Sequence, residues 1–184
     1  TRDLCAPMLE DAARIQAADA AHIDRLIARG IDLDPVQPLY DGEHVVATLG
    51  QMVGLPYHRR QTVASGIDVT FLDAGHVLGS AIVVLDIAED GERTRIAFTG
   101  DLGRGGAILR TPEIPGGATC LITESTYGDR LHAPHDQAIE TLASAIRRTI
   151  ERRGKVIIPA FALERAQELV FALKQLRRDR RIPA

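Results

Sequence analysis

The chain has 184 residues, 45% of them hydrophobic and 26% charged, with a formal net charge of −3, the balance of one ordinary globular domain or of one domain and part of another. No apolar run reaches the length of a membrane-spanning helix. With aromatics at 4% and no Trp, the chain lacks the stacking platform that sheet-based RNA modules need.

The small net charge hides an asymmetry. Residues 1–92 carry six arginines against fifteen acids, and residues 93–184 carry sixteen basic residues against ten acids. The basic excess sits mostly in 147–181, at Arg147, Arg148, Arg152, Arg153, Lys155, Arg177, Arg178, Arg180 and Arg181. Such a segment can steer a polyanion such as RNA, or can be the solvated face of helices. Cys5 and Cys120 are far apart and read as two reduced, small apolar side chains. With no sign of secretion, a cytoplasmic setting is the expectation. The start, Thr1-Arg2-Asp3-Leu4, has neither an initiator Met nor a signal peptide and reads as a cut in a longer chain.

In chain order, residues 7–29 show helical spacing in Leu9, Ala12, Ala13, Ala17, Ala20, Ile23, Leu26 and Ile27, with Gly30 as the stop. Pro35 and Pro38 punctuate an irregular link. A second helix is predicted over 42–52 with Asp41 as its N-cap. The period then changes. Ile67, Val69 and Phe71 alternate with polar residues as in a half-buried strand, and 81–87 is a near-continuous apolar strand. Asp90-Gly91 predicts a hairpin, with a return strand through Thr94, Ile96 and Phe98. Residues 105–118 form a Gly/Pro-rich loop, and 120–123 a short buried strand. A helix over 135–152, a strand over 155–158 ended by Pro159, and a last helix over 163–176 follow; this alternation suggests a parallel sheet with helices packed on it.

Three residues at strand ends carry the candidate chemistry. His76 lies between Gly75 and Gly79 in the loop after the first strand, Asp101 follows Thr99-Gly100 at the end of the return strand, and Glu124 follows the short strand at 120–123. Each alone is an ordinary loop or turn residue; Asp101, for instance, can cap Leu102-Gly103 with its own side chain. The pair His76 and Asp101 says more. One residue precedes and the other follows a single hairpin, so antiparallel strands of matched length bring both to one sheet edge. Imidazole nitrogen and carboxylate oxygen are good zinc donors. Glu124 at the same edge can orient a histidine or a metal-bound water. Ser125 and Thr126 can offer hydroxyl and N–H groups to a phosphate, and Arg165 can bind phosphate or be a surface arginine. His132 and His135 flank Pro134 at a helix start, while His22, His44 and His58 read as solvent-facing residues in or near helix surfaces.

Together these segments resemble the β-CASP branch of the metallo-β-lactamase-fold hydrolases, a branch of RNA-processing nucleases. Asp73-Ala74-Gly75-His76-Val77-Leu78-Gly79-Ser80 looks like the third metal motif of that family and Thr99-Gly100-Asp101 like the fourth. Thr123-Glu124-Ser125-Thr126-Tyr127-Gly128 looks like the first β-CASP-specific motif. The run from Ile158 to Leu169, with Pro159-Ala160-Phe161-Ala162-Leu163-Glu164-Arg165 at its centre, looks like the strand-to-helix opening of the β-CASP domain.

The resemblance implies an α/β chain in which residues 1–130 are the later part of a metallo-β-lactamase αββα half and 131–184 begin the β-CASP domain. It implies two zinc ions in the complete enzyme, with His76 as a ligand of one, Asp101 bridging both, and Glu124 as a catalytic acid that orients a histidine. Ser125, Thr126 and Arg165 would contact substrate. The implied reaction is phosphodiester hydrolysis of RNA, more readily single-stranded; the resemblance admits a homodimer. The family's His-x-His-x-Asp-His cluster is absent and would lie upstream of Thr1, and its later histidine motifs would lie downstream. His76 and Asp101 alone would therefore hold zinc weakly, and this stretch by itself would be inactive. Two other readings stay open: a catalytically silent homologue acting as a scaffold, and a nuclease of the same fold directed at DNA.

Overall fold

The computed structural model describes residues 1–105 and 108–183, which divide into two compact units, 1–56 and 57–184. In the first, helices α1 (Arg2–Ala28) and α2 (Gly42–Gln51) pack on each other. Helix α1 begins five residues before the predicted start and holds Pro7 inside it, where the missing N–H removes one intrahelical bond. The Asp41 cap is as expected: its carboxylate accepts from the N–H groups of Glu43 and His44 at 2.9 and 3.1 Å. His44 is not merely solvent-facing, because its Nδ1 accepts the Asp41 backbone N–H at 3.4 Å and closes a capping box.

The second unit is built on one five-stranded sheet in the order β1 (Gln61–Ala64), β2 (Ile67–Asp73), β3 (Ala81–Glu89), β4 (Glu92–Phe98), β5 (Cys120–Ile122). Strands β1 to β4 are antiparallel neighbours, and β5 joins β4 in parallel. The Asp90-Gly91 turn has positive φ at both residues, 50° and 84°, which suits the right-handed twist of the strands it joins. It sets the β3–β4 register from Glu89↔Glu92 to Val83↔Phe98. One sheet face carries Ile82, Val84 and Ala97, which with Ala74 form the buried core, covered by Leu72, Leu102 and Ala118. The core therefore lies at the loop-bearing end of the hairpin. Toward the turn end the same face becomes polar: Asp68 and Asp86 sit opposite each other, and Arg60 and Arg95 neutralise them at 2.8 and 2.7 Å. Like charges across a strand pair repel, so each aspartate needs its own arginine.

Helices α3 (His135–Glu151) and α4 (Arg165–Arg178) follow. Arg147 and Arg181 both bind the carboxylate of Glu140, tying α3 to the segment after α4. Several expectations need correction. Strand β1 carries no apolar alternation and was not expected; all four of its residues are exposed. Strand β5 is not buried, with Leu121 54% and Ile122 50% exposed. Residues 155–158 form no strand, and Ile157 is 89% exposed, because a β-prone run becomes a strand only with a ladder partner. The helices of the second half accordingly flank no parallel sheet of their own among the described residues. His58 lies on no helix but before β1, with its N–H on the Phe71 carbonyl at 2.8 Å. The predicted 105–118 loop includes Gly106 and Ala107, which lie outside the described residues; its remainder holds neither helix nor strand.

The Arg95 guanidinium beside Asp86 holds that carboxyl below the usual carboxylate range. Stability from this pair is present above the unfolded value near 4 and is lost as pH falls through the lower folded value. Asp86→Asn should cost about 0.5–1 kcal/mol near neutral pH, since a partly exposed pair is screened. The loss should shrink toward zero at low pH, as measured by urea unfolding across pH 2–7.

Candidate metal centre

The hairpin register delivers the predicted convergence. His76 lies in the loop between β2 and β3, Asp101 lies three residues past β4, and His76 Nε2 is 3.8 Å from Asp101 Oδ2. The imidazole is half-buried and the carboxylate mostly exposed.

Backbone groups shape the His76 loop. Asp73 Oδ1 accepts from Gly75 N–H at 2.8 Å, and Ser80 Oγ accepts from the N–H groups of His76 and Val77 at 3.1 and 3.2 Å. Gly75 is buried with φ +60°, and a Cβ there would strike the Arg110 carbonyl oxygen. On the other side Gly103 donates its N–H to the Ala74 carbonyl at 2.8 Å, and a Cβ on Gly103 would collide with the Gly75 carbonyl. Two glycines thus let the His76 loop and the Asp101 turn meet backbone to backbone.

The turn after Asp101 does not consume its side chain. Leu102 N–H goes to Glu124 Oε1 at 2.7 Å and Gly103 N–H to Ala74, so the capping role open to Asp101 in the sequence is filled by other acceptors. Glu124 acts here as a carboxylate anchoring the peptide next to Asp101. The Leu102 N–H, followed by bonds from Thr126, holds its pKa below the usual range, so it stays ionised. Buried Thr99 links the ends of β4 and β5, donating its N–H to the Ile122 carbonyl at 3.0 Å and lying 3.2 Å from Thr123 Oγ1.

Ser125 and Arg165 stand apart from this centre in their bonding, and Thr126 joins it through Glu124. The Ser125 carbonyl accepts from Gly128 N–H at 3.2 Å, closing the turn after β5, and Thr126 bonds back to Glu124. Arg165 pairs with Glu168 at 3.1 Å on α4, beside a cleft of about 630 Å³ lined by α3, α4, the 158–161 loop and Arg104, Gly105 and Ile108. His132 stacks edge-on against Tyr127 with ring centroids 4.7 Å apart, and His135 begins α3. Tyr57 and Glu113, which hold the His76 loop from outside, escape sequence reading because neither belongs to a local pattern.

The donor set tests what this chain could hold. An imidazole nitrogen and a carboxylate oxygen converge, which suits zinc, but no group of three or more His, Cys, Asp or Glu residues able to hold a metal occurs among the described residues. His76 and Asp101 alone fall short of the three or four protein ligands that a zinc site takes.

No protein-family model matches the sequence. The chain is 36% identical over 138 residues to a ribonuclease of Thermus thermophilus, an alignment covering 74% of this chain and 31% of that protein. It is 39% identical over 142 residues to an endoribonuclease of Gibberella zeae, covering 76% of this chain and 16% of the relative. It is 35% identical over 139 residues to subunit 3 of the cleavage and polyadenylation specificity factor of Dictyostelium discoideum, covering 74% and 17%. The chain is similar over about three quarters of its length to these relatives, which are ribonucleases of the β-CASP family of the metallo-β-lactamase fold. Its mixed sheet and helices are those of that fold, and it spans about a third or less of the length of these curated relatives. In this chain the meeting of the His76 loop with the Asp101 turn requires glycine at both contact points. Gly103→Ala should therefore destabilise the chain by about 1–3 kcal/mol, the usual cost of overpacking. Chemical denaturation checks the loss, and faster amide exchange at Ala74 and Gly103 checks its place.

Proposed function

We propose that the protein carrying this chain hydrolyses phosphodiester bonds of RNA with a pair of zinc ions. Residues 1–130 would belong to its lactamase-like half, and 131–184 would open its β-CASP domain. The observation that carries the reading is the approach of His76 Nε2 to Asp101 Oδ2 at one sheet end, in a chain similar to named ribonucleases. His76 would hold one ion, Asp101 would bridge both, and the remaining ligands would come from elsewhere in the protein. Zinc, when bound, supplies Lewis acidity that brings the pKa of water to about 7 and offsets charge on a phosphoryl group.

This chain's own residues do the positioning. Glu124 holds Leu102 N–H and so fixes the backbone from which Asp101 projects. Ser80 fixes the peptide of His76. Ser125, Thr126 and Arg165 would contact the substrate at the β-CASP side. Arg147 and Arg181 are occupied by Glu140. Phosphate attraction would therefore rest on the exposed Arg148, Arg152, Arg153, Lys155, Arg177 and Arg180.

In the full-length protein, Asp101→Ala should lower RNA cleavage more than about 100-fold, beyond the 10–100-fold typical of changes outside the ligand shell. Its circular dichroism should match the parent's. Near-normal cleavage by that variant would contradict the bridging role, and equal cleavage of a matched DNA strand would remove the preference for RNA. Replacing Arg152 and Lys155 by Ala should weaken RNA binding and flatten the slope of log affinity against log salt by about 0.7 for each lost contact with single-stranded phosphate.

A further inference from the structure

The His76 loop is held at both ends by residues from distant parts of the chain. At its start, Asp73 donates its N–H to Glu113 Oε1 at 3.0 Å, and its carbonyl accepts from Glu113 N–H at 2.9 Å. One residue thus grips both backbone groups of Asp73 from forty positions away. His58 Nε2 lies 3.4 Å from the same Glu113 oxygen and flanks the carboxylate. At the far end, the half-buried Tyr57 hydroxyl donates to the Ser80 carbonyl at 2.7 Å. Ser80 in turn holds the peptides of His76 and Val77 through its hydroxyl and accepts Ala74 N–H on its carbonyl at 3.3 Å. From the Asp101 side, the contact of Gly103 with Ala74 adds a further hold on the loop.

We propose that Tyr57 and Glu113 are positioning residues that together set the place of His76, Tyr57 through Ser80 and Glu113 through Asp73. Neither touches a metal donor. Tyr57 is kept in its donating form: burial, then the nearby charges of Asp73 and Glu113, push its pKa above the ordinary phenol value. Glu113 acts as an acceptor, so its charge is dispensable and its oxygen is not. The catalytic part of this inference rests on the nuclease reading above; the structural part does not.

Both parts are tested in the full-length protein by amide hydrogen exchange, residue by residue, and by steady-state RNA cleavage. Tyr57→Phe removes one hydroxyl and leaves the ring. It should speed exchange at His76 and Val77 about tenfold, near the upper worth of one hydrogen bond, while β3 and β4 keep their protection. The kcat should fall by a similar factor with KM little changed. Glu113→Ala should do the same with its largest exchange effect at Asp73, and Glu113→Gln, which keeps an acceptor oxygen, should stay within about twofold of the parent. Unchanged exchange at 73–80 in both Tyr57→Phe and Glu113→Ala would overturn the proposal. So would faster exchange spread evenly over β3 and β4, the mark of a merely structural role, or a Glu113→Gln variant as impaired as Glu113→Ala. If the parent cleaves no RNA, the nuclease reading fails by itself, and the exchange pattern still decides whether the loop is clamped.

Discussion

The β3–β4 hairpin is the constraint on which the rest of the second unit depends. Its two-residue turn fixes seven consecutive cross-strand pairs, and a slip of one residue would invert every side chain. The core residues Ile82, Val84 and Ala97 would then face away from Ala74, and the loops at the open end would lose their support. With the register fixed, the chain before β3 and the chain after β4 must emerge side by side. The imidazole and the carboxylate meet because the turn lies at the other end.

That part of the site was legible in the sequence. Apolar alternation, an Asp-Gly turn and glycine-flanked polar residues at strand ends are all local signals, and antiparallel geometry turns them into a spatial statement about His76 and Asp101. Asp41 was legible as a cap for the same reason. Interactions that join distant segments were not. Nothing near Glu113 in the sequence announces that it holds Asp73, and Tyr57 looks like any loop tyrosine. The Glu124 carboxylate was placed at the correct sheet edge, yet its partner, the peptide of Leu102, follows only from the parallel pairing of β5 with β4. The 155–158 run failed in the opposite sense: its composition is that of a strand, but ladder partners are a property of the assembled sheet.

Labour is divided between groups that would do chemistry and groups that hold them. His76 and Asp101 contribute side chains with donor atoms turned toward each other, and their local backbones are satisfied by others. Ser80, Glu124, Ala74 and Glu113 take the N–H groups around the two loops. Because the supports bind mainly peptide groups, the donor atoms are left uncommitted at a place whose position is set to within a few bonds of the sheet. On the proposed reading, that arrangement suits a centre assembled from several stretches of chain, since this stretch arrives with its own geometry already fixed.

The parallel placement of β5 requires a crossover between β4 and β5, and this crossover is tethered at more than one point. Glu113 grips Asp73, and Thr119 exchanges bonds with both backbone groups of Arg95 at 2.8 and 3.2 Å, while Arg95 also holds the Gly116 carbonyl. A surface connection normally absorbs added or lost residues with little cost. Here the spacing between Glu113 and Thr119 acts as a ruler between two sheet positions. A single-residue insertion in it would have to release one tether or the other, so this connection is one of the least length-tolerant stretches of the chain despite its loop-like composition.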